Sequence, residues 1–152
     1  MVWPPDSPWA PWWRTSKKTA RAICKLADVK KEDVVYDLGS GEGTALLIAA
    51  KEFGATGIGI EIDFSRVIFS KLILKINGLS KKVKIKRGNF FKQDISKASI
   101  IFVYLVPKTL DRLLPKFKKE LKKGTKIVSF RYEMNLPLKK YDKESQIRLY
   151  II

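Results

Sequence analysis

The stretch Val34–Thr44, VVYDLGSGEGT, decides the fold of this 152-residue chain. Its first residues form an apolar, β-branched run that is typical of a parallel strand buried on both faces. The glycines that follow at alternate positions, Gly39, Gly41 and Gly43, allow a sharp turn in which the backbone approaches a ligand closely. A helix then runs to about Phe53, and its N-terminus points at that turn.

A second predicted strand, Thr56–Ile60, ends in an acid, Glu61. Strand, glycine turn, helix, strand and acid together are the mononucleotide-binding half of a doubly wound α/β fold. Alternation and apolar runs predict the remaining strands at 83–86, 99–106, 125–130 and 146–152. Helices are predicted to begin at a Thr15 or Ser16 cap, to run from Phe64 to about Asn77, and to cover Leu110 to Leu121 with a bend or break at Pro115.

Composition limits the class of protein. We expect one domain over residues 1–152, since this length supports a hydrophobic core. The chain has no histidine and a single cysteine, Cys24, which excludes an internal disulfide and argues against a metal site. Cys24 lies on the apolar face of the first helix, which favours packing over reactivity.

The net charge is +16, from 31 Lys and Arg against 15 Asp and Glu. Such a charge suits a nucleic acid, an acidic protein or an anionic membrane. Lysine is nevertheless spread over nearly every segment, as in a solvated coat, and charge alone selects no partner. The sequence shows no signal peptide and no apolar run of the ~20 residues that span a bilayer. We therefore expect a basic, cytoplasmic, monomeric protein.

Residues 1–13 form an arm that holds all four tryptophans, interleaved with prolines. The prolines disfavour helix and favour an extended path. Two hypotheses remain for the indoles: Trp12 and Trp13 cover the rim of the nucleotide site as a lid, or the arm anchors the protein peripherally at a membrane interface.

The charges around the glycine turn indicate which nucleotide binds there. Asp37, Glu42 and Glu61 would repel a pyrophosphate or a nucleoside triphosphate, and the turn has no lysine to offset them. An adenosyl ligand that carries an ammonium and a sulfonium group is attracted instead. The turn therefore predicts S-adenosylmethionine as cofactor, with S-adenosylhomocysteine as its product.

VVYDLGSGEGT followed by IGIEID resembles motif I and the following acid of class I S-adenosylmethionine-dependent methyltransferases. With RGNFF and LLPKFKKELKKGTKIVS, the chain resembles a narrower group, the small archaeal and mitochondrial-type protein-lysine N-methyltransferases related to the ATP synthase c-subunit and adenine nucleotide translocase enzymes. The resemblance implies a compact, Rossmann-like, seven-stranded-type fold with a mostly parallel sheet, an antiparallel C-terminal strand and a shortened C-terminus.

The resemblance also implies the contacts to the methionine end of the cofactor. Gly39 and Gly41 let the backbone approach it, and Asp37 holds its ammonium group. Thr15 hydrogen-bonds its carboxylate, although a plain helix cap is the other interpretation of this residue. The family usually has proline before that threonine, whereas this chain has Arg14.

At the adenosine end, the resemblance implies that Glu61 accepts hydrogen bonds from both ribose hydroxyls. Asn89 binds the adenine amino group, and Phe90 lies beside the ring. A turn-forming role for Asn89 and a core role for Phe90 are the alternatives.

A protein with accessible lysine is the predicted acceptor. A lysine with a pKa near 10.4 is presented neutral at pH 7 at a cost of ~4.6 kcal/mol, and desolvation by aromatic walls supplies much of that shift. Tyr104 follows the fourth predicted strand, where it would orient the amine, with Trp13 or Tyr132 as a further wall. Glu133 would attract the incoming cation.

Two other functions remain open. The basic charge suits an RNA or DNA methyltransferase, yet Tyr104-Leu105-Val106-Pro107 does not match the Asn/Asp-Pro-Pro-aromatic motif of amino-methylating nucleic-acid enzymes. Nucleic acid is thus the less favoured partner. The second alternative is a non-catalytic, S-adenosylmethionine-binding or membrane-peripheral module.

Overall fold

Five parallel strands form the centre of a mixed sheet in the computed structural model, which describes residues 15–152. These strands are β1 (Val34–Leu38), β2 (Thr56–Glu61), β3 (Val83–Arg87), β4 (Ile100–Val103) and β5 (Lys126–Phe130). Two further strands, β6 (Leu138–Asp142) and β7 (Ile147–Ile151), complete it. The helices are α1 (Lys17–Leu26), α2 (Thr44–Phe53), α3 (Phe64–Ile76) and α4 (Pro107–Glu120).

The strand order is β3-β2-β1-β4-β5-β7-β6, with β7 antiparallel to β5 and β6 antiparallel to β7. The order reverses direction between β1 and β4, and the carboxyl ends of β1 to β5 meet at one edge. Ligands of doubly wound sheets bind at such a switch point. The predicted Rossmann-like, mostly parallel sheet with an antiparallel C-terminal strand is confirmed.

Two apolar cores cover the two faces of the sheet. One joins the sheet to buried residues of α1, α2 and α3, among them Cys24, Leu46 and Leu74. The other joins it to α4 and to the segment between β3 and β4, through residues such as Phe117 and Ile95. Strand β1 is buried on both faces, as its mostly apolar sequence predicts.

The helix boundaries follow from local chemistry. The Ser16 hydroxyl accepts a hydrogen bond from the Thr19 amide and caps α1, and Asp63 caps α3 by accepting from the Arg66 amide. At the other end of α3, Asn77 is the C-cap and Gly78 follows with φ +69°. The predicted caps of α3 are confirmed, and Ser16 rather than Thr15 caps α1.

The structure differs from the predicted elements in three places. β4 ends at Val103 rather than at residue 106. Leu105 packs against the glycine turn, which accounts for its apolar side chain without a longer strand. β6 was missed, since almost all of it is exposed and no alternation marks it. α4 is not broken at Pro115. Pro115 and Asp111 are both exposed, so the Asp111 carbonyl that loses its partner can bond to water.

Within residues 15–152, none of the helices combines the length and the apolar character needed to cross a bilayer.

Candidate active site

The glycine turn after β1 lies at the switch point. Gly39, Gly41 and Gly43 have φ values of +79°, +55° and +81°, in the left-handed region that glycine adopts without a Cβ clash. The amides of Gly39 and Ser40 both donate to the Ile60 carbonyl, at 2.8 and 3.1 Å. The turn is therefore fixed against the end of β2 before any ligand arrives.

Glu61 lies at the end of β2 and is 5% exposed. Its Oε2 accepts a hydrogen bond from the Gly41 amide at 2.8 Å, and its Oε1 accepts from the Asp63 amide at 3.0 Å. Two backbone amides thus orient the carboxylate, and each oxygen keeps a further lone pair. That geometry fits a ribose diol, which would donate one hydroxyl to each oxygen.

Asp37 lies on β1 and is also buried. Burial, and secondly the charge of Glu61, raise the pKa of Asp37 to about 7. A positive ligand beside Asp37 would favour the ionised form of its carboxylate, so the pair of carboxylates suits a cation. This agrees with the expected electrostatics of the turn.

Ser40 is a buried polar residue of the glycine turn that the sequence did not single out. Its Oγ is buried and has no hydrogen-bond partner within the part of the chain that the structure describes. A buried hydroxyl without a partner costs free energy, and such groups often await a ligand. The oxygen packs against β2, where a Cβ added to Gly59 would come within 2.7 Å of it.

Asn89 and Phe90 follow β3. The Asn89 Oδ1 accepts from the Phe91 amide at 2.9 Å, which orients the side chain and leaves its NH₂ group and one lone pair of Oδ1 for a base. Phe90 is buried, and its ring edge lies 3.9 Å from the Cβ position of Gly39. The fold therefore brings together the segments that follow β1 and β3, in which the contacting residues Gly39 and Phe90 are 51 positions apart in sequence.

Thr15 is half-buried just before α1 and does not serve as its cap. Of the two interpretations of Thr15, the carboxylate contact therefore remains a prediction.

Tyr104 stands at the end of β4 among aromatic side chains. Its ring centroid is 4.6 Å from that of Phe130 and 6.3 Å from that of Tyr132. The hydroxyl oxygen is buried and has no hydrogen-bond partner among the described residues. Burial raises the pKa of Tyr104, the Arg131 guanidinium offsets part of that rise, and Tyr132 adds to it. The group is a neutral hydroxyl ready for a partner.

Arg131 is a second residue that the sequence did not single out. Its guanidinium carbon lies 5.8 Å from the Tyr104 ring centroid and 5.3 Å from that of Phe130. Its φ is +69°, and the Tyr132 amide bonds back to the Phe130 carbonyl across it. A turn of this kind is strained for a non-glycine residue, and such strain concentrates at functional sites.

Neighbouring strands hold this strained turn in place. The Ser129 hydroxyl donates to the Tyr132 carbonyl at 2.6 Å, and the Arg148 guanidinium donates to the Arg131 carbonyl at 2.8 Å. The Tyr150 hydroxyl accepts from the Met134 amide at 3.0 Å. The segment after β5 is therefore positioned by contacts with β7. No local sequence pattern predicts these contacts.

Glu133 lies on the outside of this segment. Its side chain is 78% exposed and pairs with Arg148 at 3.6 Å. Its role toward an incoming cation remains a prediction, as does that of Trp13, which lies outside the described residues.

Cys24 is fully buried, and burial raises the pKa of its thiol to about 12. The thiol is therefore a packing group, as predicted. Among residues 15–152, no three His, Cys, Asp or Glu side chains come together as a metal would require.

Several known proteins are similar to this chain in sequence or in fold. The family model of the ANTKMT methyltransferase domain matches residues 37–138. A protein-lysine N-methyltransferase of Saccharolobus islandicus is 36% identical over 135 residues, which cover 88% of this chain and 82% of that protein. A lysine N-methyltransferase of the ATP synthase c-subunit, from Caenorhabditis elegans, is 27% identical over 76% of this chain, and the match spans 60% of its own length.

Among solved structures, an RNA methyltransferase from Salinibacter ruber in complex with S-adenosylhomocysteine superposes with a TM-score of 0.89. It is 34% identical and covers 92% of this chain and 94% of its own. A Geobacter sulfurreducens methyltransferase, at 19% identity, a TM-score of 0.67 and coverage of 75% of this chain and 47% of its own, shares the fold. The fixed glycine turn and the oriented Glu61 carboxylate fit the cofactor of such enzymes. The chain therefore belongs to the ANTKMT methyltransferase domain family and is an S-adenosylmethionine-dependent methyltransferase.

Proposed function

We propose that this methyltransferase modifies the side-chain amine of lysine in a protein. The observation that carries the proposal is the aromatic cluster at the end of β4, in which the buried Tyr104 hydroxyl lacks a partner among residues 15–152. Similarity to a protein-lysine N-methyltransferase at 36% identity supports the same acceptor.

Seven residues would hold the cofactor: Thr15, Asp37, Gly39, Gly41, Glu61, Asn89 and Phe90. We add Ser40, whose hydroxyl is buried within the same turn. When bound, S-adenosylmethionine supplies an electrophilic methyl group on its sulfonium sulfur. The protein's own task is then to present a neutral amine in line with that methyl group.

Two features of the cluster favour the neutral amine. The rings of Tyr104, Phe130 and Tyr132 remove water from it, which disfavours the ammonium form. The fixed charge of Arg131 beside the same rings acts in the same direction, because like charges disfavour protonation. The residue that sequence reasoning missed thus contributes to the ~4.6 kcal/mol that deprotonation at pH 7 requires.

Tyr104 would orient the amine. A neutral hydroxyl oxygen can accept a hydrogen bond from one amine N–H, which leaves the nitrogen lone pair free for attack. Glu133 would attract the lysine cation before it enters, and Trp13 would add a further wall. We also propose that the protein is a monomer and that its N-terminal arm, residues 1–13, associates peripherally with a membrane.

The test is methyl transfer from S-adenosylmethionine with a labelled methyl group to a cell lysate. We expect label in protein, and acid hydrolysis followed by chromatography should identify it as Nε-methyllysine. Tyr104→Phe should lower the rate, whereas Tyr141→Phe, the same change on the exposed strand β6, should not. Label that is released only by ribonuclease would contradict the proposal.

An RNA acceptor is the second candidate. The net charge of +16 and the similarity to a protein described as an RNA methyltransferase favour it. Against it stands the segment after β4, Tyr104-Leu105-Val106-Pro107, which lacks the motif of amino-methylating nucleic-acid enzymes. Protease and ribonuclease digestion of the same labelled lysate separates the two acceptors directly.

A further inference from the structure

Helix α3 and the residues that lead into it carry large apolar side chains on their outer surface. We call the following six residues the α3 stripe: Ile62, Phe64, Ile68, Phe69, Leu72 and Ile76. They are between 47% and 72% exposed. Four of them recur at intervals of four residues, so they lie one above another on one side of the helix and form a continuous row.

The α3 stripe lies opposite the side of the helix that packs on the sheet. Val67, Ser70 and Leu74 are the buried residues of α3. Their positions in the helical repeat place them on the side of α3 away from the stripe. The helix therefore buries one apolar side and exposes another. Scattered exposed apolar residues are normal, but a contiguous row marks a site of interaction with a partner or a membrane.

The chain that follows the start of the α3 stripe is strongly basic. From residue 64 to residue 93 the sequence contains nine Lys or Arg and no Asp or Glu. Lys71 and Lys75 are exposed on α3 itself, and the Arg87 guanidinium lies 5.1 Å from the Phe64 ring centroid. The apolar row thus has a border in which basic side chains predominate, with Asp63 at the start of the helix as its acid.

We propose that the α3 stripe and its basic border bind the surface of an anionic membrane. Apolar side chains inserted at the level of the headgroups, flanked by lysines on the lipid phosphates, form the usual arrangement of an interfacial helix. This surface is distinct from the aromatic cluster at the end of β4, where we propose that the methyl acceptor binds.

Other occupants fit the same surface less well. Two copies packed through α3 would bring Lys71 and Lys75 of each together, and residues 64–93 offer no acid to pair with them. Nucleic acid is bound through phosphate contacts, stacking aromatics and polar groups at base edges. Four of the six stripe residues, Ile62, Ile68, Leu72 and Ile76, are aliphatic and provide neither a stacking ring nor a polar group for a base edge.

The test is flotation of the full chain with phosphatidylcholine vesicles, with and without phosphatidylglycerol. We expect binding only to the anionic vesicles, weakened by salt. Ile68→Ser/Leu72→Ser and Lys71→Glu/Lys75→Glu should each reduce the bound fraction roughly tenfold. Both variants should keep the melting temperature and S-adenosylmethionine affinity of the natural chain, because the four side chains are exposed.

Two matched controls separate the surface from general charge and hydrophobicity. Lys118→Glu/Lys119→Glu makes the same charge change on α4, and Leu138→Ser removes an exposed apolar side chain from β6. Both controls should bind vesicles like the natural chain. Equal loss in Lys118→Glu/Lys119→Glu, full binding by Ile68→Ser/Leu72→Ser, or a dimer in light scattering that this variant dissociates would each overturn the proposal.

Discussion

Asp37 is a carboxylic acid that the fold buries beside a second carboxylate, Glu61. Burial and that neighbour raise the pKa of Asp37 to about 7, so at pH 7 about half of the ligand-free protein holds a proton there. A cationic ligand in the same place favours the ionised form, and its binding must release that proton. If Asp37 holds the ammonium group of the cofactor, as we propose, cofactor affinity is linked to pH through this residue.

We predict that the affinity for S-adenosylmethionine rises with pH up to about 7 and is level above it. Asp37→Asn should weaken binding roughly tenfold at pH 8 and remove the pH dependence, since a charge-assisted contact is lost. Isothermal titration calorimetry in buffers of different ionisation enthalpy measures both affinity and proton release. Asp111→Asn, on the exposed side of α4, is the control. Unchanged affinity of Asp37→Asn at pH 8 would contradict this assignment.

The same residue makes a separate prediction for stability. Because the pKa of Asp37 is raised on folding, the native state binds more protons than the unfolded chain between pH 4 and 7, and the free energy of unfolding falls as pH rises through this window. Without ligand, Asp37→Asn should lose this part of the pH dependence and be at least as stable as the natural chain at pH 8. Urea unfolding at pH 5 and pH 8 measures it, and a destabilised Asp37→Asn at pH 8 would count against the raised pKa.

Tyr104 makes the prediction at the acceptor side. Tyr104→Phe keeps the ring contacts to Phe130 and Tyr132 and removes only a hydroxyl that has no partner among residues 15–152. We expect an unchanged melting temperature and unchanged cofactor affinity, with kcat lowered roughly tenfold or more because the amine loses its orienting group. Single-turnover kinetics with labelled cofactor measures this. A loss in cofactor affinity instead would place Tyr104 with the cofactor.

At the scale of elements, the contact between α2 and β2 supports the glycine turn. A Cβ added to Gly59 would approach Ser40 Oγ, Ile85 Cδ1 and Leu46 Cδ1 to between 2.7 and 2.9 Å. Glycine at this position therefore lets β2, β3, α2 and the turn meet at one point.

Gly59→Ala should lower the free energy of unfolding by about 1–3 kcal/mol, in the range of overpacked cores, and should also weaken cofactor binding by displacing Ser40. Gly78→Ala is the comparison: its Cβ meets nothing within 4 Å, although its φ of +69° carries a backbone cost of about 1–2 kcal/mol. Urea unfolding and calorimetry separate the two effects. Weakened cofactor binding in Gly78→Ala would argue against the role of Ser40.

At the scale of the whole molecule, the role of the N-terminal arm is suggested by the sequence alone, because the arm lies outside the described residues. If Trp12 and Trp13 form a lid, Trp12→Ala/Trp13→Ala should weaken S-adenosylmethionine binding several-fold, since each indole contributes a large apolar surface. Trp3→Ala/Trp9→Ala makes the same chemical change earlier in the arm. We expect it to leave the affinity unchanged. Equal affinities for all three chains, measured by calorimetry, would favour the anchor over the lid.

How much the sequence predicts depends on the range of the interaction. The turn at Gly39 and Gly41, the strand-ending acid Glu61 and the cap Asp63 depend on neighbours in the chain, so a local pattern reveals them. The class of fold and the cofactor follow from the same residues, because few ligands tolerate carboxylates beside a glycine turn.

Only the tertiary structure reveals the rest. β6 exists through pairing with β7 rather than through its own pattern, and Ser40 stands out only because its buried hydroxyl lacks a partner among the described residues. Arg131 joins the acceptor cluster because Arg148, 17 positions later, donates to its carbonyl. Such contacts depend on which segments meet in space, and burial, desolvation and pKa arise only when they do.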